Sequence, residues 1–248
     1  MLRGKKNRSR VPRLNTARAW AVMLLVGLMV AGGCGLDLSY LLPLAAGEIN
    51  VLLRSVPISL AIQSGGLTVE QVAKLQLILD TREFARDVMG LTLGSDYTKF
   101  YDSGGDAVMF NVSACRRDAF EPRQWTFPIV GTVPYLGFFN RSAADAKALA
   151  LEEAGYDVFM YEVDAYSGAG YFPSVVLSPM LNRSDISLAN TVFHELLHGN
   201  VWRPNDVSFN ESLATFFGRT GAAKYVADRF PDQPELIEDA VETFEDRD

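Results

Sequence analysis

The sequence predicts a mixed α+β fold in which strands in the middle of the chain precede helices near its end. Three observations support this prediction. Helical patterns occupy residues 40–54 and 68–88, β-branched and aromatic residues are concentrated within residues 107–163, and an amphipathic helical pattern starts at about Ile186. No internal repeat or low-complexity linker divides the chain, so we expect a single domain over residues 34–248.

The N-terminal helices are the first elements along the chain. Residues 40–54 have helical composition, and residues 68–88 open on Thr68 with Glu70 in the first turn. Apolar side chains then recur at helical spacing in Val72, Leu75, Leu79 and Phe84. Residues 90–105 are rich in turn-forming residues.

A small mixed sheet is predicted to follow these helices. Strand-forming residues dominate residues 107–112, 127–139 and 157–163. The alanine-rich residues 143–154 favour a helix between the last two strands, which suggests a crossover. Glycine, serine and proline dominate residues 167–178, which we predict to be a loop before the final helices.

The segment TVFHELLHGN, residues 191–200, is the most specific signal in the chain. It holds His194 and His198, the only two histidines, with Glu195 directly after the first. Successive residues of a helix turn by about 100°, so these three side chains fall on one polar arc. The opposite arc is apolar and would anchor the helix in a core, and Gly199 is typical of a helix end.

Two imidazoles one helical turn apart can bind one Zn²⁺ ion at about 2.0–2.1 Å. Glu195 would lie beside the metal, where it can accept a proton from a water whose pKa the metal lowers to about 7. Catalytic zinc usually has a third protein ligand, and Glu211 in FNESLATFF, residues 209–217, is the candidate. The alternative is that Glu211 forms a capping box with Ser208 and only closes the start of a helix.

FHELLH followed by FNESLATF resembles the bacterial putative aminopeptidase family of gluzincin-type zinc metallopeptidases, in which HExxH precedes a helix that begins Asn-Glu. The similarity extends through WTFPIVGTVPYLGFF at residues 125–139, AYSGAGYF at 165–172 and LSPML at 177–181. It also includes LLPLAAGEINVLLRSVPI at residues 41–58. Together these segments cover most of the chain and are far more specific than HExxH alone.

The resemblance implies a zincin-like fold that binds one Zn²⁺ per chain through His194, His198 and Glu211, with Glu195 as the general base. It implies hydrolysis of peptide substrates, as an aminopeptidase. One alternative is an endopeptidase acting on envelope proteins or peptidoglycan stem peptides. The other is a binding or assembly lipoprotein whose zinc site is catalytically inactive. Members of this family generally continue through a further helical segment, so the end at Asp248 suggests a C-terminally shortened domain.

Residues 157–166 and the following loop are the expected wall of the substrate site, since an extended peptide can pair with an edge strand. Because the chain has no third histidine, a tyrosine or arginine must stabilise the developing oxyanion. Tyr166 is the candidate, since the resemblance places Ala-Tyr-Ser in the family pattern; the alternative is an ordinary aromatic residue at a strand end. Glu162 or Asp164 could bind the free ammonium group that an aminopeptidase recognises.

Residues 1–33 have the composition of a signal peptide. They carry seven Lys and Arg and no acidic residue, and their apolar run at residues 19–31 is shorter than the ~20 residues of a membrane span. Cys34 follows Ala-Gly-Gly as in a lipobox, which predicts a lipidated N-terminal cysteine. A retained membrane anchor and an ordinary signal peptide are the alternatives. By resemblance to Gram-negative lipoproteins, Gly35 after the cysteine indicates the outer membrane, on the periplasmic side of the bacterial cell envelope.

Removal of residues 1–33 changes the charge balance of the protein. The whole chain has 23 basic and 30 acidic residues, and loss of the seven basic ones leaves 16 against 30, a net charge of −14. Such a surface does not attract nucleic acid or anionic lipid. We therefore expect no nucleic-acid partner, and membrane attachment only through the lipid on Cys34.

Overall fold

The computed structural model describes residues 38–127, 131–166 and 173–245, and it confirms a mixed α+β fold. The predicted signal peptide, Cys34 and residues 167–172 of the predicted loop lie outside the described residues. The prediction of a loop up to residue 178 is wrong in part, because a short strand lies at Val176–Leu177. Across the described ranges, no helix is both long enough and apolar enough to cross a membrane.

The predicted N-terminal helices are present. They are α1 (Leu38–Arg54) and α3 (Val69–Asp87), and a short helix that was not predicted, α2 (Ile58–Gln63), lies between them. Thr68 caps α3 by accepting a hydrogen bond from the Gln71 backbone N–H at 3.2 Å, and the Gln71 side chain accepts one from the Thr68 N–H at 2.9 Å. This reciprocal capping box satisfies two N–H groups that a helix start leaves unpaired.

The strands form three small sheets among the described residues. The strands are β1 (Val56–Pro57), β2 (Lys99–Tyr101), β3 (Met109–Arg116), β4 (Trp125–Phe127), β5 (Gly131–Val133), β6 (Tyr135–Phe138), β7 (Tyr156–Val163) and β8 (Val176–Leu177). Their orders are β1-β2-β8, β6-β3-β7 and β4-β5. In the first sheet β2 pairs antiparallel with β1 and parallel with β8, so this sheet is mixed.

The prediction of one strand over residues 127–139 is wrong. The chain forms β4, β5 and β6 there, and β4 pairs with β5 as an antiparallel hairpin. Gly131 has a φ of +80°, outside the range of an extended strand, and Pro134 has no N–H to donate to a neighbouring strand. Residues 90–105, which are rich in turn-forming residues, also contain β2, and this strand buries Phe100 at 3% exposure.

The second sheet packs against α4 (Arg141–Glu153) around a separate small core. Both β6 and β7 pair antiparallel with β3, so they run parallel to each other and α4 crosses over between them, as suggested by the sequence. In the described part of the chain β7 has no strand on its other side and is an edge strand. The buried residues of this core are Phe110, Val112, Ala114, Ala144 and Leu151.

The main core lies around the helices of the second half of the chain. A 3₁₀ helix (Ser178–Asn182) leads into α5 (Asp185–His198), which is followed by α6 (Val207–Arg229) and α7 (Pro234–Glu245). The core side of α5 consists of Leu188, Ala189, Val192, Phe193 and Leu196, each at most 3% exposed. Their partners include residues of α3, β2, β8 and α6, so α5 is held on several sides.

Candidate metal centre

The helix that carries the two histidines begins and ends as the sequence predicts. Ser184 caps α5 by accepting a hydrogen bond from the Ser187 N–H at 3.3 Å. After the last helical residue, the Asn200 side chain donates to the Leu196 carbonyl at 2.9 Å and accepts from the Thr92 N–H at 2.8 Å. Asn200 therefore ends the helix and attaches it to the segment after α3.

The two faces of α5 differ as the 100° rotation per residue requires. Val192 and Phe193 are fully buried, whereas His194 and Glu195 are partly exposed. His198, one turn further on, is only 6% exposed. The apolar face therefore fixes the position of a polar face that is still accessible at His194.

Helix α6 approaches this polar face closely because glycine lies at the contact. A Cβ atom on Gly218 would lie 2.5 Å from Asn190 Oδ1 and 3.3 Å from the Cβ of His194. A Cβ on Gly221 would lie 3.0 Å from the Phe193 ring. The missing side chains let the two helices pack together, and Glu211 lies two turns before Gly218 on the side of the histidines.

The capping-box alternative for Glu211 is wrong. Asp206, not Ser208, caps α6, and its carboxylate accepts a hydrogen bond from the Phe209 N–H at 3.2 Å. Glu211 is then in the second turn of the helix, beyond the N–H groups that need a cap. Its carboxylate is free of any capping role and faces the histidines instead.

Asn210, directly before Glu211 in the sequence, has a structural role. Its side chain is 2% exposed, and it exchanges two 2.8 Å hydrogen bonds with the backbone of Arg203. The same loop contacts the β4–β5 hairpin, where the Thr132 N–H donates to Asn205 Oδ1 at 3.2 Å. These contacts fix the loop between α5 and α6, and so the position at which α6 starts.

Three donor atoms converge between the helices. His194 Nε2 and His198 Nε2 are 3.2 Å apart, and the Glu211 carboxylate lies 3.3 Å from the first and 3.7 Å from the second. These ligand atoms all lie within 4.8 Å of one another. Two imidazole nitrogens and one carboxylate oxygen form a ligand set typical of a catalytic zinc site, so the residues present fit a metal ion.

A comparison with known protein families agrees with this geometry. Residues 39–247 match the family described as "Putative aminopeptidase". The chain belongs to this family. No curated protein and no solved structure matches it. Membership in the putative aminopeptidase family indicates peptidase activity.

The protonation states of His194, His198 and Glu211 depend on one another. Burial disfavours protonated His194, but its hydrogen bond to Glu211 and the charges of Glu195 and Glu211 outweigh burial and raise its pKa. Burial likewise disfavours the Glu211 carboxylate, yet its hydrogen bond to His194 and the nearby imidazoles lower its pKa. His198 is buried and its pKa is lowered. The pocket thus favours a cation beside Glu211.

Glu195 lies in a different environment from Glu211. Burial raises the pKa of its carboxyl group to about 7, and the charge of Glu211 acts in the same direction, while His194 and Arg183 oppose it. A carboxyl group with a pKa near neutrality can both accept and return a proton. The structure therefore gives the two glutamates of the site different properties.

Arg183 is a site residue that the sequence reasoning missed. Its guanidinium binds both carboxylate oxygens of Asp164 at 2.8 and 2.7 Å, and it donates to Thr191 Oγ1 at 3.0 Å and Ser187 Oγ at 3.3 Å. Arg183, Ser187, Thr191 and Glu195 recur every four residues, which is the sequence signal that could have revealed this polar row. The arginine connects the end of β7 to the metal-binding helix.

The other predicted site residues are only partly brought together. Asp164 reaches α5 through Arg183, but Glu162 forms an exposed ion pair with Arg141 at 3.0 Å. The Tyr166 hydroxyl donates to Glu48 Oε2 on α1 at 2.9 Å, and within the described part of the chain no hydrogen bond connects it to the triad. Tyr166 is therefore engaged with α1, and its predicted role at the oxyanion has no support from its hydrogen bonding.

Proposed function

We propose that this protein is a zinc-dependent peptidase with a zincin-like fold of the gluzincin type, acting as an aminopeptidase. One observation carries the proposal: the convergence of His194, His198 and Glu211 beside Glu195 in a chain of the putative aminopeptidase family. The Glu211 side chain is 44% exposed, so a substrate can approach the triad from solvent.

The triad would hold one zinc ion, and bound zinc would polarise a peptide carbonyl and lower the pKa of a water molecule. The proton transfers then fall to Glu195. Its carboxylate would accept a proton from the attacking water and return it to the nitrogen of the leaving amine. A pKa of about 7 suits both steps near neutral pH.

Recognition of a free N-terminus requires an acidic group near the scissile bond. We assign this role to Asp164 or Glu162, and Asp164 is the better placed because its partner Arg183 contacts Thr191 on the metal-binding helix. Among the described residues β7 is an edge strand, and an extended substrate that paired along its whole length would support the alternative, an endopeptidase.

The envelope location belongs to the same proposal. The basic start, the short apolar run and Cys34 after Ala-Gly-Gly support a lipidated N-terminus on the periplasmic side of the outer membrane. Mass spectrometry of the mature protein should find a lipid on Cys34. A Cys34→Ser variant that still fractionates entirely with membranes would favour a retained anchor.

The activity test compares unblocked and N-acetylated peptides with zinc-loaded wild-type protein. Cleavage of unblocked peptides that is lost on acetylation supports the aminopeptidase. Equal cleavage of both supports the endopeptidase. Hydrolysis of neither peptide would contradict the proposed activity and favour a binding or assembly lipoprotein.

A further inference from the structure

Helix α1 carries an apolar stripe on its solvent side, formed by Leu42, Ala46, Ile49 and Leu53. On a helix these four positions fall within an arc of about 60°, because successive residues turn by about 100°. All four side chains are exposed, and the three large ones have exposures of 54%, 41% and 60% in chain order. Contiguous exposed apolar surface of this kind marks contact with another molecule or with a membrane.

The two charged side chains of α1 lie away from this stripe. Glu48 accepts a hydrogen bond from the Tyr166 hydroxyl at 2.9 Å, and Arg54 Nη1 donates to the Tyr101 hydroxyl at 3.4 Å. Val51, which lies between them on the helix, is buried in the main core at 1% exposure. One side of α1 is therefore held by the protein, while the stripe has neither charged nor polar side chains. Whatever covers the stripe must be apolar.

The chain before α1 limits what can cover the stripe. Only residues 35–37 separate Cys34 from Leu38, the first residue of α1. Four residue steps span at most about 14 Å in any conformation. A helix with its side chains is about 10–12 Å across, so this reach is little more than one helix diameter. A lipid on Cys34 would hold that residue at the bilayer surface, and the start of α1 would have to lie close to the same surface.

We propose that α1 lies flat on the membrane and that its apolar stripe inserts among the lipids of the leaflet that holds Cys34. In this orientation the stripe is withdrawn from water, whereas a helix pointing away from the bilayer would leave it exposed. The acidic surface of the protein does not attract anionic lipid, so the contact is apolar. Attachment through the lipid on Cys34, as the sequence predicts, is thereby extended by a second contact. This inference rests on the proposed lipidation of Cys34.

The first test places a tryptophan in the stripe of the full lipidated protein. Leu53→Trp is compared with Leu149→Trp, which changes an equally exposed leucine on α4, in neutral phosphatidylcholine vesicles with brominated acyl chains. The added fluorescence of Leu53→Trp should be quenched by roughly half or more, because an apolar helix face enters about 5–10 Å into the boundary between headgroups and acyl chains. That of Leu149→Trp should be unchanged. Equal quenching in both variants, or in neither, would contradict the proposal.

The second test measures transfer of the lipidated protein from one population of neutral vesicles to another. The stripe variant combines Leu42→Gln, Ile49→Gln and Leu53→Gln. It should transfer at least about tenfold faster than the wild type, because three apolar side chains no longer contact lipid. The matched control changes three exposed apolar residues outside α1, with Val69→Gln, Val88→Gln and Leu149→Gln, and should transfer as the wild type does. Equal rates for the two triple variants would contradict the proposal.

These readouts require neither zinc nor peptidase activity, so they do not depend on the proposed catalysis. Mass spectrometry of the same preparation shows whether Cys34 carries a lipid. If the lipid is present and Leu53→Trp is not quenched, the orientation of α1 is wrong while the proposed anchor stands. If the lipid is absent, the anchor and the inference fail together. A stripe covered by a second copy would leave Leu53→Trp unquenched and give cross-linked dimers that the stripe variant lacks, which would also contradict the proposal.

Discussion

The α5–α6 pair and the β6-β3-β7 sheet use the same kinds of charged residue in different surroundings. At the helices, Glu211 on α6 contacts two histidines. Arg183, just before the cap of α5, binds Asp164, just after β7, with side chains 32% and 37% exposed. On the sheet, Arg141 and Glu162 form a pair with side chains 59% and 61% exposed. The first group is placed by tight helix packing, and the second lies in solvent where ion pairs contribute little.

The aromatic residues show the same difference. Phe193 is fully buried on α5 and packs edge to face with Phe84 and Tyr225. On β7, Phe159 and Tyr161 stack on each other with 65% and 37% exposure. The comparison indicates that the sheet supplies an accessible surface, while the helix pair supplies the fixed geometry that chemistry requires.

The largest expected effect separates two glutamates, one from each region. Glu195→Gln should retain zinc and the fold, because Glu195 is not a ligand, yet lose at least about 100-fold in peptide hydrolysis, the low end for a general base. Glu153→Gln, on the helix that packs against the sheet, is the matched control and should retain activity within about threefold, since its side chain is exposed and has no role in the proposed site. Measurements of kcat/KM and bound zinc on both variants check this, and comparable losses would remove the distinction between the regions.

Arg183 and Arg141 test whether burial decides how much an ion pair contributes to the stability of the folded protein. Arg183→Met removes four hydrogen bonds and should lower the free energy of unfolding by about 1–3 kcal/mol, since hydrogen bonds to charged groups are the stronger kind. Arg141→Met should lower the free energy of unfolding by no more than about 1 kcal/mol, as for other exposed ion pairs. Urea unfolding of both variants provides the values, and a larger loss in Arg141→Met would reverse the comparison.

Substitution of Gly218, at the contact between α5 and α6, should have an effect on stability similar to or smaller than that of Arg183→Met. Gly218→Ala places a methyl group 2.5 Å from Asn190 Oδ1. It should lower the free energy of unfolding by about 1–3 kcal/mol, the range for overpacking. Because α6 would have to shift, zinc affinity should fall as well. Gly199→Ala is the control: its nearest contact is 3.5 Å and its φ is −73°, so we expect a change within about 0.5 kcal/mol. Thermal or urea unfolding of both variants, together with a zinc titration, measures these changes.

The local elements could be predicted because neighbouring residues specify them. The polar arc of His194, Glu195 and His198 follows from helical periodicity, and Thr68 marks the start of α3. The two readings of Glu211 could not be separated from the sequence, since both Asp206 and Ser208 are good capping residues. Only the structure, in which the Phe209 N–H donates to the Asp206 carboxylate, shows which one caps the helix.

Features that depend on distant contacts were not predictable in this way. The strand β2 has three residues, and it is stabilised by pairing with β1 and β8, which come from well-separated segments. Arg183 acquires its significance only when the tertiary fold brings Asp164 and Thr191 to it. The single strand predicted for residues 127–139 failed because composition does not reveal that β4 and β5 pair with each other or that Gly131 has a positive φ.

Metal analysis of the purified, zinc-supplemented protein tests the central claim most directly. If His194, His198 and Glu211 form one coordination site, wild-type protein and Glu162→Gln should each hold about one zinc per chain, the pattern of a single three-ligand site. Glu211→Gln should lose most of the metal while its melting temperature without zinc remains close to that of the wild type. Zinc binding by Glu211→Gln with wild-type affinity would contradict the account.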